Sequence, residues 1–128
     1  MYKGFKIGVV TPTRGERPQF IERAKIMLAN QTLTPDTVIY VDYPPKNNDF
    51  DLVERYRTGF ITAFATHNCD LAFAWEEDDW YDNRYLEIMV ESWLQLDRPD
   101  IIGINSTIFY HIIARKYKRM DHPDHAAM

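Results

Sequence analysis

The chain has 128 residues, of which 45% are hydrophobic and 27% charged, and its formal net charge is −4. That length and composition suit one globular domain, residues 1–128, with a packed core. A net negative chain has no general attraction to a phosphate backbone, so we expect no nucleic acid as a bulk partner.

Targeting and redox signals are weak in this sequence. The one cysteine, Cys69, precedes an apolar run and cannot form an internal disulfide, which suits a reducing compartment and a place in the core. No apolar run reaches the roughly 18 residues of a membrane span. The first residues do not resemble a signal peptide. We therefore expect a cytoplasmic protein with no membrane span.

Strand and helix patterns alternate along the chain. Short apolar, β-branched-rich runs predict buried strands at residues 5–11, 38–42 and 71–75. Helical spacing predicts a helix from Pro18, a second from Asp51 with Glu54 in a capping box, and a third from Asp82 or Asn83. The expected buried faces are Phe20, Ala24, Met27, Leu28 and Gln31, then Leu52, Val53, Tyr56, Phe60, Ala63 and Phe64, then Leu86, Met89, Val90, Trp93 and Leu94.

The last third of the chain is less regular. Residues 101–105 and 107–114 are strand-like, whereas the tail at 115–128 is polar and we expect it to be flexible. Strands and helices alternating at this spacing predict an α/β, Rossmann-like fold, with a mostly parallel sheet and helices on both faces. In such sheets ligands bind beyond the carboxyl ends of the strands. Those ends are residues 11–14, 42–43 and 76–81.

The last of these ends carries an acidic segment, which we define as Glu76, Glu77, Asp78 and Asp79. Four consecutive carboxylates repel one another, and oxygen ligands of this kind suit Mg²⁺ or Mn²⁺ with a substrate diphosphate. The alternative is a solvated acidic loop before the third helix. The position after a buried strand, with Trp80 and Tyr81 beside it, favours a metal site.

Three segments together resemble family 2 glycosyltransferases of the GT-A fold. The first strand ends in a Pro-Thr turn at residues 9–14, the second ends in Asp at residues 40–42, and the third leads into an acidic motif with aromatic residues and a Tyr-Leu pair at residues 76–86. The resemblance covers about the first 110 residues. It implies metal-dependent, inverting transfer of a sugar from a UDP-sugar to an acceptor, which would be a saccharide or a protein.

The resemblance also implies roles for individual residues. The nucleotide would contact Thr11, Pro12, Thr13, Arg14, Asp42, Arg57 and Asp78, with Asp42 accepting from uracil and Asp78 near the ribose. Asp79 would ligate Mn²⁺ or Mg²⁺ with help from Glu77. For Arg14 and Arg57 a solvated surface charge is an equal alternative.

The sequence departs from the family in two ways. Glu77-Asp78-Asp79 stands where a strict Asp-x-Asp is usual, and family members usually continue well past this length with an acceptor-binding half and an acidic base. Asp124 is the candidate base and His125 a candidate metal ligand, although a frayed tail without a role is an equal alternative.

Two other functions remain open from the sequence. One is a nucleotide-sugar-binding module with little or no transfer. The other is a nucleotidyltransferase, which is weaker because the turn after the first strand holds a single glycine, Gly15, and no glycine-rich phosphate loop.

Overall fold

The structure is a computed structural model that describes residues 1–46, 50–111 and 113–121, apart from the side chains of residues 110 and 111. The chain divides into two compact units, Met1–Glu87 and Ile88–Met128. The first contains β1 (Ile7–Pro12), α1 (Pro18–Ala29), β2 (Thr37–Val41), α2 (Leu52–Ile61), a π-helical turn (Thr62–Thr66) and β3 (Leu71–Ala74). Helix α3 (Tyr85–Gln95) includes the unit boundary, and β4 (Ser106–His111) and β5 (Lys116–Asp121) follow it in the second unit.

The three strands of the first unit form a parallel sheet in the order β2-β1-β3. Val9 of the central strand lies opposite Val38 on one side and Phe73 on the other. This confirms the α/β class and the parallel sheet. The chain runs from β1 outward to β2 and then returns across β1 to β3. The gap between the carboxyl ends of β1 and β3 is therefore the topological switch point, where such sheets bind ligands.

Helices α1 and α2 cover opposite faces of this sheet. Neighbouring residues of a strand point to opposite faces, so Tyr40 and Val41 mark one face each. The Lys25 ammonium of α1 lies 5.6 Å from the centre of the Tyr40 ring. On the other face, Gly59 of α2 lies so close to Val41 that an added Cβ would stand 3.0 Å from its Cγ2 atom. The sheet is thus the middle of three layers.

Two expectations for the second helix are wrong. Asp51 makes no side-chain cap on α2, because its carboxylate instead pairs with Arg55. The expected buried face is confirmed at Tyr56, Phe60 and Ala63, which pack in the core, but it is wrong at Val53 and Phe64, which are 75% and 46% exposed. Helix α2 packs through Gly59, which brings its backbone close to the sheet. The first helix, by contrast, begins at Pro18 as expected and buries Ala24 and Leu28.

The structure of the second unit differs from what we expected for the last third of the chain. Residues 101–105 form no part of a named strand, whereas residues 116–121 of the expected flexible tail form β5. Strands β4 and β5 pair antiparallel, with Ser106 opposite Asp121 and Phe109 opposite Lys118. Backbone pairing with β4 organises a segment whose lysines and arginine give it the composition of a solvated tail. Residues 122–128 of that tail lie outside the described residues. The third helix buries Met89, Val90 and Trp93 as expected, although it begins at Tyr85.

The close approach of α2 to the sheet gives the first prediction. A Cβ at Gly59 would stand 2.1 Å from Val10 Cγ1, a distance that real Cβ atoms do not show. We expect Gly59→Ala to lower the free energy of unfolding by about 1–3 kcal/mol through overpacking, despite a gain of about 1 kcal/mol in helix propensity. Urea denaturation measures this. Thr58→Ala, at an exposed position of the same helix, is the control. A stabilised Gly59→Ala protein would contradict the packing.

Candidate functional site

One buried hydrogen bond joins the ends of β1 and β3 at the switch point. The Thr13 hydroxyl donates to Glu77 Oε2 over 2.8 Å, and both residues are buried, with 6% and 8% of their surface exposed. The Thr13 oxygen also accepts from the amide of Gly15 at 3.1 Å. Gly15 has a φ of +75°, which glycine adopts without strain. The segment after β1 and the acidic segment after β3 are therefore in direct contact.

Glu77 points inward, unlike the other three members of the acidic segment. Its second oxygen, Oε1, accepts from Arg17 Nη2 at 3.0 Å, so both of its carboxylate oxygens have protein partners. Phe73, Trp75 and Glu77 are all buried, which shows that the alternation of β3 continues three residues past the end of the strand at Ala74. Metal ligation by Glu77 stays a prediction, and the geometry directs this carboxylate to the protein interior.

The other three carboxylates of the acidic segment form a cluster. Ligand atoms of Glu76, Asp78 and Asp79 all lie within 4.8 Å of one another. Partial burial, and then repulsion from Asp79 and Asp78, raises the pKa of Glu76 above its ordinary value, although a hydrogen bond from Tyr56 opposes the shift. Partial burial and then repulsion from Asp78 likewise raise the pKa of Asp79, against the attraction of Arg23. The cluster thus carries more negative charge than its surroundings neutralise.

Aromatic residues hold Glu76 from two sides. The Tyr56 hydroxyl donates to Glu76 Oε1 at 3.3 Å, and the Glu76 amide donates to the Tyr81 hydroxyl at 3.0 Å. The Tyr81 ring stacks on buried Trp75 with 3.9 Å between centroids. Sequence reasoning selected Glu77 and passed over Glu76, yet Glu76 is the residue that lies with Asp78 and Asp79. The alternation of inward- and outward-facing residues along β3 is the signal that could have distinguished the roles of the two glutamates.

Arg17 neutralises part of the acidic segment from the loop after β1. Besides Glu77, it donates from Nη1 to Asp78 Oδ2 at 3.3 Å. Its guanidinium also lies 4.9 Å from the centre of the Phe20 ring. Arg23 of α1 donates from Nη2 to the Asp78 carbonyl at 3.1 Å. Two arginines therefore contact Asp78, whereas Asp79 faces solvent.

Arg55 is the principal residue that sequence reasoning missed. Only 1% of it is exposed, and its guanidinium donates from Nη1 to the carbonyls of Thr13 at 2.8 Å and Val41 at 3.0 Å, and from Nη2 to the carbonyl of Tyr43 at 2.7 Å. Its Nε lies 3.0 Å from Asp51 Oδ2 in an ion pair. Its central carbon stands 4.1 Å from the centre of the Tyr43 ring. A glycine one turn later on the same helix, Gly59, is the weak signal that the sequence offered.

The predicted nucleotide-binding residues lie in different environments. Thr11, Pro12 and Thr13 are buried, and the Thr11 hydroxyl has no hydrogen-bond partner among the described residues. Arg14 is partly exposed and lies 3.2 Å from Glu16 and 3.6 Å from Asp51. Contact between a ligand and this segment would therefore begin at Arg14. Asp42 is exposed directly after β2.

Arg57 lies apart from the acidic segment. It lines a cavity of about 960 Å³ whose other walls come from the segment after β2 and from α2; the lining residues are Tyr43, Pro44, Lys46, Phe50, Asp51, Val53, Glu54, Arg57 and Thr58. No carboxylate of the acidic segment lines this cavity. Asp124 and His125, the candidate base and metal ligand, lie outside the described residues.

Comparisons of the chain with protein-family models, with curated proteins and with solved structures found no match. Among the helices in the described parts of the chain, none has the length and hydrophobicity needed to cross a membrane.

Repulsion within the cluster predicts that the free energy of unfolding depends on pH. The raised pKa of Asp79 means that the folded state favours its protonated form, so this contribution to stability is present at low pH and is lost as the pH rises through the folded pKa. Without divalent ions, Asp79→Asn should raise the free energy of unfolding at pH 7 by no more than about 1 kcal/mol, as for other partly exposed charges. The gain should vanish below the ordinary Asp pKa of 3.8.

Thermal denaturation in EDTA at pH 7 and near pH 3 measures this difference. Asp100→Asn, at an exposed carboxylate outside the acidic segment, is the control. A loss of stability at pH 7 in Asp79→Asn would show that the carboxylate is compensated in the folded protein.

Proposed function

We propose that this protein is a metal-dependent glycosyltransferase of the GT-A kind, which transfers a sugar from a UDP-sugar to an acceptor with inversion. The observation that carries the proposal is the cluster of Glu76, Asp78 and Asp79 after β3. It lies at the switch point, where the buried bond from Thr13 to Glu77 joins it to the end of β1.

The donor atoms of this cluster suit a hard divalent cation. They are carboxylate oxygens from two exposed side chains and one half-buried side chain, without sulfur or nitrogen. Glu76, Asp78 and Asp79 would hold Mn²⁺ or Mg²⁺, and the bound ion would supply positive charge beside the leaving diphosphate. The raised pKa values of Glu76 and Asp79 support this assignment, because an added cation relieves the repulsion that raises them.

The nucleoside end of the donor would lie toward β2. Asp42 is exposed at the carboxyl end of this strand, where its carboxylate would accept from N3–H of uracil. Unprotonated cytosine has no equivalent donor, so this contact would favour uridine. Asp78 would lie near the ribose or act in the cluster, and Arg17, which already contacts Asp78, is close enough to the acidic segment to meet a phosphate.

The acceptor side of the reaction needs a base. Inversion requires a carboxylate that takes the proton of the acceptor hydroxyl on the face opposite the leaving group. Asp124 is our candidate from the sequence. His125 beside it would add a nitrogen ligand to the cluster.

Metal-dependent nucleotide binding is the first test of this function. We expect UDP to bind with Mn²⁺ and to bind at least about tenfold more weakly in EDTA, because the diphosphate is repelled by uncompensated carboxylates. Asp79→Ala should remove the metal-dependent part of the UDP affinity. The expected loss of binding free energy is about 1.5–3 kcal/mol, the value for removing one charged hydrogen-bonding partner.

Isothermal titration calorimetry with parent, Asp79→Ala and Asp100→Ala proteins makes this comparison. Asp100 is an exposed carboxylate outside the acidic segment, so its variant should bind as the parent does. Equal UDP affinity in Mn²⁺ and in EDTA would reject the metal site.

Turnover distinguishes a transferase from a binding module. We expect slow, metal-dependent release of UDP from at least one UDP-sugar, since fixed donor geometry and charge beside the diphosphate favour its departure. Asp124→Asn should lower transfer to an acceptor while UDP binding stays unchanged. The assay is UDP release from a panel of UDP-sugars with Mn²⁺. Tight metal-dependent UDP binding without release from any donor would make the protein a nucleotide-sugar-binding module.

A further inference from the structure

The exposed carboxylate of Asp42 stands on a backbone that Arg55 holds on both sides. The Arg55 guanidinium donates to the carbonyl of Val41, the residue before Asp42, at 3.0 Å, and to the carbonyl of Tyr43, the residue after it, at 2.7 Å. The bond to Val41 restricts the peptide plane that precedes Asp42, and the bond to Tyr43 restricts the plane that follows Tyr43, so the backbone is held on both sides of the Asp42–Tyr43 pair. The Asp42 side chain therefore projects from a backbone of defined direction although it is itself exposed.

The same guanidinium fixes Asp42 relative to the central strand. Arg55 Nη1 is shared between the Val41 carbonyl and the Thr13 carbonyl, the latter at 2.8 Å. The Thr13 amide in turn donates to the Val41 carbonyl at 3.0 Å. The ends of β1 and β2 are thus held together by one planar group with donors in a fixed fork, which a lysine ammonium cannot reproduce.

Arg55 is itself fixed from its outer side. Asp51 Oδ2 lies 3.0 Å from its Nε, and the Tyr43 ring covers the guanidinium at 4.1 Å. With 1% of the residue exposed, Arg55 does not reach a ligand in solvent. Any effect of Arg55 on a bound nucleotide must act through the backbone that it holds.

We propose that Arg55 is a positioning residue for base recognition, which sets the direction of Asp42 and so determines the preference of the site for uridine over cytidine nucleotides. This inference rests on the proposed function. It adds a residue of α2 that determines specificity without touching the substrate. The nucleoside end of the site, which this residue would affect, is distinct from the acidic segment that would hold the metal.

The test compares affinities for UDP and CDP in the presence of Mn²⁺. The parent should bind UDP roughly 5- to 140-fold more tightly than CDP, which is the loss of affinity expected when one buried hydrogen-bonded partner is missing. Asp42→Asn and Arg55→Lys should each bring this ratio close to one. Pyrophosphate with Mn²⁺, which lacks a base, should bind both variants as it binds the parent. Arg84→Lys, at an exposed arginine, is the matched control and should keep the parental ratio.

A double-mutant cycle separates positioning from a general structural role. If Arg55 acts through Asp42, the Arg55→Lys/Asp42→Asn protein should lose no more preference than Asp42→Asn alone. If Arg55→Lys does not fold, as judged by circular dichroism, Asp51→Asn replaces it, because that variant loosens the guanidinium and leaves its fork in place. Asp51→Asn should then lower the UDP:CDP ratio by a smaller factor with pyrophosphate binding unchanged.

The possible failures have different meanings. A folded Arg55→Lys protein with the parental ratio, or one that loses pyrophosphate and UDP binding alike, would overturn the positioning role while the proposed function stands. A parent that binds UDP and CDP equally would also overturn it, because Asp42 would then not read the base. A parent that binds no UDP with Mn²⁺ would overturn the proposed function itself.

Discussion

The buried guanidinium of Arg55 is the contact on which the architecture of the candidate site depends. A charged group without water is stable only when its donors are matched, since the desolvation penalty is several kcal/mol. Three strand-end carbonyls accept from the Nη atoms of Arg55, and the Asp51 carboxylate, 3.0 Å from Nε, balances its charge, although Nε makes no hydrogen bond among the described residues. The carbonyls of Thr13 and Tyr43 lie beyond the ends of their strands and would otherwise need other donors, whereas that of Val41, the last residue of β2, also accepts from the Thr13 amide. One helix residue therefore satisfies two strand ends at once.

The close packing of α2 makes this arrangement possible. Gly59 stands one turn after Arg55, and its missing side chain lets the helix backbone approach Val10 and Val41. A helix held farther away by a larger residue would leave the guanidinium short of the strand ends. A packing feature of the core thus decides the geometry at the edge of the sheet. Helix α1, on the opposite face, instead contributes Arg23 to the acidic segment.

Much of the fold could be predicted from the sequence, whereas the separate roles of Arg55 and of the four carboxylates in the site could not. Apolar runs and the Pro18 helix start are local signals, and they gave the parallel strands and α1 correctly. Arg55 was missed because arginine is usually exposed, and its burial depends on carbonyls far away along the chain. Strand β5 was missed because its pairing with β4 outweighs a composition typical of a solvated tail. The roles of the four carboxylates depend on the direction of each side chain, which Phe73 and Trp75 indicate only once their burial is known.

Thr13 connects the two chemical ends of the candidate site. Its carbonyl accepts from Arg55, and its hydroxyl donates to Glu77. The contacts at one end orient the backbone beside Asp42, and those at the other hold the acidic segment through a residue that is itself paired with Arg17. One residue of the loop after β1 therefore contributes its carbonyl to the nucleoside end and its hydroxyl to the acidic end. Glu77 therefore has its clearest role as the inner anchor of the acidic segment, which leaves Glu76, Asp78 and Asp79 to face outward with their charge only partly compensated.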